Sequence, residues 1–248
     1  METPVKESKV NKVKKYITHI LGESVLVIVG ILIALQIDGY VQEKSEIKNL
    51  KSSLNYVLED LDNNKAILLK LKDQKTISIS SCTTLLDSYK QQKNMLPEEM
   101  IKTLRSILIT NRFENNFGGF DRVSSSALYE SNDFLPVRDK IREYSNVLAD
   151  LRFTEEFMNL YIAELSLEMS RNGALFKVFD YVRITRGIAK YKAEVPTISV
   201  QEILEDNKPL QAVLHKYEFD APSLIKNYEQ LLAEGKILRD VITAYLEK

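Results

Sequence analysis

The chain has 248 residues, a net charge of −1, 44% apolar and 28% charged residues. That is ordinary for a folded protein, wrong for a disordered one, and without the basic excess of a nucleic-acid binder. Eight glycines and six prolines are too few for the frequent turns of an all-β fold.

Cys82, the one cysteine, excludes an internal disulfide and a multi-cysteine zinc site; its place on an apolar stripe predicts burial. The two histidines, His19 and His215, are expected far apart, so a triad or a histidine-rich metal site would rest on His215 alone.

Residues 16–41 read YITHILGESVLVIVGILIALQIDGYV. Ser24 to Ile37 is free of charge, but at 1.5 Å per residue it covers only about 21 Å of a roughly 30 Å hydrocarbon core. A crossing therefore recruits Ile20 and Val41, bringing Glu23 and Asp38 to the two interfaces, with Tyr16 and Tyr40 as interfacial aromatics. A buried strand opening a nucleotide-binding fold lacks the glycine-rich loop that should follow. A signal peptide lacks a small-residue cleavage site, since Ile37-Asp38-Gly39-Tyr40 is a poor one. A buried core helix is the strongest competitor. The expected organisation is a basic cytoplasmic tail at 1–19, a transmembrane helix at 20–41, and an extracytoplasmic body at 42–248.

Lys6, Lys9, Lys12, Lys14 and Lys15 precede the apolar run, and a mixed-charge flank follows it. The positive-inside rule then puts the N-terminus in the cytoplasm and the body outside the inner membrane, in the periplasm. Gly30 and Ala34 form a small-x-x-x-small pair, through which two such helices can approach and dimerise.

The stretch Gly22-Glu23-Ser24-Val25-Leu26-Val27-Ile28-Val29-Gly30-Ile31-Leu32-Ile33-Ala34-Leu35-Gln36-Ile37 resembles the N-terminal transmembrane signature of a bacterial membrane protein family of unknown function, G-E-x-V-L-V-x-x-G-I-L-I-A-L-Q-I. This chain then departs: Asp38-Gly39-Tyr40-Val41-Gln42-Glu43 stands where that family has an Asn-Asn-Trp stretch. Ser125, Leu128, Leu135, Arg138, Ile141 and Tyr144 are similar to a second, less specific family pattern. The resemblance implies a short cytoplasmic tail, one membrane helix and a helical extramembrane region, and brings no activity with it.

Beyond the anchor, Ile47, Leu50, Leu54, Val57, Leu61, Asn64, Leu68 and Leu71 alternate at three and four residues, a heptad stripe with one polar break at Asn64. The anchor helix is expected to run into this stalk, and a second helix to span 76–93 with Ile79, Cys82, Leu86 and Tyr89. Pro97-Glu98-Glu99 opens a third, to about Thr110. A loop is predicted over 112–120 and a short helix over 124–130. The next helix carries Phe134, Ile141, Tyr144, Leu148, Leu151, Met158, Ile162, Leu165 and Met169, broken by Glu155 and ended by Asn172-Gly173. A short strand fits 175–185. The last helix is expected to start at Asp220 as cap and Pro222 in its first turn, with Leu224, Tyr228, Leu231, Gly235, Leu238, Ile242 and Tyr245 in heptad register. The fold class is all-α: one transmembrane helix followed by an antiparallel, coiled-coil-like bundle of long helices. The same stripes also allow pairing of two chains through the stalk.

Glu-x-x-His pairs for a di-iron site are absent from the sequence, and acids such as Glu59, Asp62, Glu155 and Glu156 are read as solvated faces. No catalytic residue, metal ligand or cofactor is predicted. Two clusters are candidate contacts. Phe113, Asn115, Asn116, Phe117 and Phe120, around Gly118-Gly119, form a loop of rings and amides that either grips a small ligand or plugs a bundle end. Arg183, Arg186, Lys190 and Lys192, in a basic stretch with interleaved aromatics, either form a plain solvated face or suit an anionic lipid surface or a partner protein. The expected partners are the lipid bilayer, an unidentified protein and a second copy of the chain, and not nucleic acid. The expected role is a non-enzymatic interaction or scaffold module of the cell envelope, the alternative being a ligand-sensing bundle that signals through a partner.

Overall fold

The computed structural model describes residues 9–171, 173, 176, 183, 198–204 and 208–247. Helix α1, Lys9–Lys90, runs for 82 residues. The expected break before residue 76 does not occur. Neither proline nor glycine interrupts 40–90, and the buried stripe passes from Leu68 and Leu71 through Lys75 and Ser78 to Cys82, Leu85 and Leu86. The chain then turns at Gln92 (φ 53°), a left-handed conformation more often taken by glycine.

The two-residue strand β1, Asn94–Met95, follows and pairs antiparallel with β2, Ile198–Ser199. Helix α2 spans Pro97–Ile107 and α3 spans Gly118–Ser124. A single 3-10 turn, Asn132–Phe134, leads into α4, Leu135–Arg171. After β2 come α5, Val200–Leu204, and α6, Lys208–Leu246. Proline stands at the first or second position of α2, α4 and α6, where its missing N–H costs nothing.

The ends of the helices fix their directions. Lys51 near the start of the body donates to the Leu246 carbonyl, whereas Thr83 at the far end donates to Glu218. Phe134 meets Tyr245 edge-to-face, and Asn227 donates to Thr154. So α6 lies antiparallel to both α1 and α4 and buries Leu210, Leu214, Tyr217, Leu224, Tyr228, Leu231, Leu238 and Ile242 against them. The segment 97–134 descends between the two ends as an interrupted leg. Its α2 is fastened to α1 by Ser78 and Ser106, and its α3 packs on α1 near Val57. The body is an up-down-up-down four-leg bundle whose second leg is broken in the middle.

Several boundaries differ from the sequence expectation. The loop ends at Phe117, because Gly118-Gly119 open α3, and residues 125–130 are turns where a helix was expected. The last helix begins twelve residues before Asp220, and Pro222 lies inside it. Proline there removes the N–H that would bond the Glu218 carbonyl, but Leu210, Val213, Leu214 and Tyr217 are buried ahead of it and packing carries the helix through. Gly173 (φ 77°) closes α4 as expected. The strand proposed at 175–185 lies outside the described residues.

Residues 25–41 of α1 are all exposed, with Leu26 at 74% and Leu35 at 61%. An 18-residue window here has mean hydropathy 2.0 with none of it buried. Among the described residues this is the one helix long and apolar enough to cross a membrane. The expected competitor, a core helix of a soluble body, would bury this segment. Among the described residues nothing in the body covers it.

Candidate functional site

Breaking the second leg strands backbone groups in the interior, where each unpaired N–H or C=O costs free energy. The bundle answers with the polar residues that interrupt its own stripes. Asn64, 1% exposed on α1, accepts the Asn116 N–H at 2.9 Å and donates to the Asn116 carbonyl at 3.3 Å. Asp60, one turn earlier, accepts the Gly119 N–H at 2.7 Å, an acid at a helix N-terminus. On α4, Glu155 accepts the Phe113 N–H through both oxygens, at 2.9 and 3.1 Å. Asn159 donates to the Asn111 carbonyl, and Arg152 donates to the Asn115 side-chain oxygen at 2.6 Å.

Glu155 is 2% exposed, which corrects its assignment to a solvated face. It also accepts the Tyr228 hydroxyl at 2.7 Å. Burial raises its carboxyl above the usual range, opposed by the Phe113 and Tyr228 hydrogen bonds and by Lys75. Lys75, 1% exposed on α1, places Nζ 3.3 Å from the Tyr217 hydroxyl. Desolvation lowers its pKa to about 8, with Glu155 acting in the opposite direction. Burial also raises the Tyr217 phenol and the Cys82 thiol to about 12. A lysine, a carboxylate and two tyrosines thus occupy the middle of the bundle, level with the break. Glu59, Asp62 and Glu156 are exposed, as expected.

The Lys75 shift has a sign that can be tested. Folded Lys75 loses its proton near pH 8 and unfolded lysine near 10.5, so in between the unfolded chain binds more protons and stability rises with pH. Across that window the wild type is expected to gain about 3 kcal/mol on Lys75→Met, at 1.36 kcal/mol per unit. Taking the difference from the variant removes Cys82 and the tyrosines, which act in the opposite direction above pH 9. Urea unfolding of both proteins at pH 7, 8, 9 and 10 checks it; parallel curves would place Lys75 in water.

The candidate ligand loop is brought together in this break. Phe113 is 1% exposed and Phe120 5%; Phe117 is half-buried, edge-to-face with Phe120, which stacks on Tyr144. Asn116 uses its backbone on Asn64, and Asn115 its side-chain oxygen on Arg152. Beside the loop lies a polar hollow of about 140 Å³ lined by Arg112, Arg152, Glu155, Glu156 and Asn159.

The second glycine has a specific duty. A Cβ on Gly119 would stand 2.4 Å from the Val57 nitrogen and 2.6 Å from the Tyr56 carbonyl carbon, whereas Gly118 faces open space. Gly119 is there for close approach of α3 to the α1 backbone.

Gly30 and Ala34 share the exposed apolar segment, and nothing lies within 4 Å of a Cβ built on Gly30. Of the basic candidates, Arg183 is exposed, while Arg186, Lys190 and Lys192 lie outside the described residues. Among the described residues no group of three metal-ligating side chains converges. Sequence reasoning missed Lys75, Asp60 and Tyr217 and read Tyr228 only as a core position; the signal that was present is the pair of polar breaks, Asn64 and Glu155. Comparison with family models, curated proteins and solved structures finds no match to this chain.

Proposed function

We propose that the chain is a single-pass, membrane-tethered helical module, with no chemistry of its own, whose body docks a partner or supports an assembly at the cell envelope. The observation that carries this reading is α1. Its residues 25–41 expose apolar side chains all round, and the same unbroken helix then becomes a leg of the bundle core. An apolar helix with nothing covering it is stable in lipid, where the helix satisfies its own backbone. The transmembrane signature at Gly22–Ile37 supports the anchor, and the lysines before it support an inward N-terminus with the body on the periplasmic side of the inner membrane.

The interaction role draws on the outer face of the α4–α6 pair. Phe153, Phe157, Leu160 and Leu167 follow one another on α4 with exposures of 73, 43, 62 and 49%, and Phe219 on α6 is 85% exposed. Apolar side chains grouped on the outside of a bundle mark contact surfaces. The polar hollow beside Asn115 favours the second reading, a ligand-sensing bundle that signals through a partner; loss of a ligand-induced thermal shift on mutating Asn116 and Phe117 would support it.

Replacing Val29 and Leu32 by arginine, at roughly 2.5–3.5 kcal/mol each at a membrane-helix centre, is expected to move the protein from the carbonate-resistant membrane pellet to the supernatant. Retention of the double variant in the pellet overturns the anchor. Gln42→Cys, in a Cys82→Ser background, is expected to react with an impermeant maleimide added outside the inner membrane. Labelling only after lysis would reverse the orientation.

A further inference from the structure

A second cavity lies between α1 and α6. It holds about 210 Å³, and Leu61, Leu68, Leu231 and Leu232 line it together with Tyr144 and Gly235. Gly235 opens it: the stripe of α6 has a large side chain at Leu231 and Leu238, and a Cβ at 235 would already stand 3.4 Å from the Tyr144 ring. Tyr144 is 1% exposed and turns its ring edge toward Gly235.

Charge at the cleft is one-sided. Asp62 is the one acid in its lining, and it pairs with Arg239, which also donates to the Leu58 carbonyl. Lys65 and Lys236, exposed and also part of the lining, have no carboxylate partner among the described residues. Leu61 stands twenty residues beyond Val41, about 30 Å along the helix, so a lipid seated in the bilayer does not reach the cleft.

We infer that this cleft binds a small water-soluble organic acid with an apolar body: the leucines hold the body, and Lys65 and Lys236 the carboxylate. This stands independently of partner docking and of the hollow at the break. The test uses the full chain in lipid nanodiscs with 4-hydroxyphenylacetate as probe, followed by saturation-transfer NMR. Saturable binding is expected, weakened about tenfold or more, the equivalent of 1.4 kcal/mol, in the double variant K65Q/K236Q. These surface changes leave the core intact. Gly235→Leu, which fills the cleft, is expected to abolish binding, and the uncharged 4-hydroxyphenethyl alcohol to bind more weakly than the acid. The inference is overturned if the acid shows no saturable binding, if K65Q/K236Q binds it as the wild type does, or if the alcohol binds as tightly.

Discussion

Glu155→Leu is expected to destabilise the body by about 3 kcal/mol, the cost of leaving buried polar groups without their partner. Three losses coincide. The Phe113 N–H loses both its acceptors, the Tyr228 hydroxyl loses its partner, and Lys75 keeps a buried charge with no anion near it. Against a typical total of about 5–15 kcal/mol for a domain, that is enough to leave the bundle marginal. Glu155→Gln keeps an acceptor for Phe113 and is expected to cost about half as much. Combining Glu155→Leu with Lys75→Met is expected to cost less than the sum of the two, because the stranded cation goes with the acid. Urea unfolding measures the total, and hydrogen exchange over 108–117 shows whether the interrupted leg opens first. Additive effects would mean that Lys75 and Glu155 do not sense each other.

Gly119→Ala is expected to cost about 3 kcal/mol, the upper end for overpacking, from a single added methyl group. The atoms it meets, at 2.4–2.8 Å, are the α1 backbone at Tyr56 and Val57. Backbone inside a long helix does not rotate out of the way, so α3 must move. That stretches the Gly119–Asp60 hydrogen bond and lifts Phe120 and Val123 from the core. Gly118→Ala, one residue earlier and facing open space, is expected to stay within about 0.5 kcal/mol of the wild type. The pair separates close approach from glycine's backbone freedom, since both residues are helical. Equal effects would refute the distinction.

Both variants bear on function through one feature. If α1 is anchor and core at once, disturbing the break at Phe113 or Gly119 alters the packing of the helix that enters the membrane. The apolar segment and the bundle leg are one unbroken helix, with neither proline nor glycine between Val41 and Lys90.

The sequence by itself determined an apolar segment long enough to cross a membrane, the all-α class and the core faces. These depend on local hydropathy and on a 3.6-residue period, which neighbours along one chain set without knowledge of the fold. It also marked Asn64 and Glu155 as breaks in the apolar stripes, but not their purpose. Their partners are the backbone groups of Asn116 and Phe113, 52 and 42 residues away, and backbone is the same at every position, so no side-chain pattern announces it. Helix boundaries were misplaced for a related reason. Pro222 and Gly118-Gly119 carry local signals for a start and a turn, and tertiary burial overrode both: Leu210 to Tyr217 hold α6 together ahead of the proline, and the α1 backbone receives Gly119 inside a helix. Only the tertiary structure decided that an acid, a lysine and two tyrosines meet in the core, and that Tyr144 and Gly235 leave a cleft, because each of those meetings joins helices far apart in sequence.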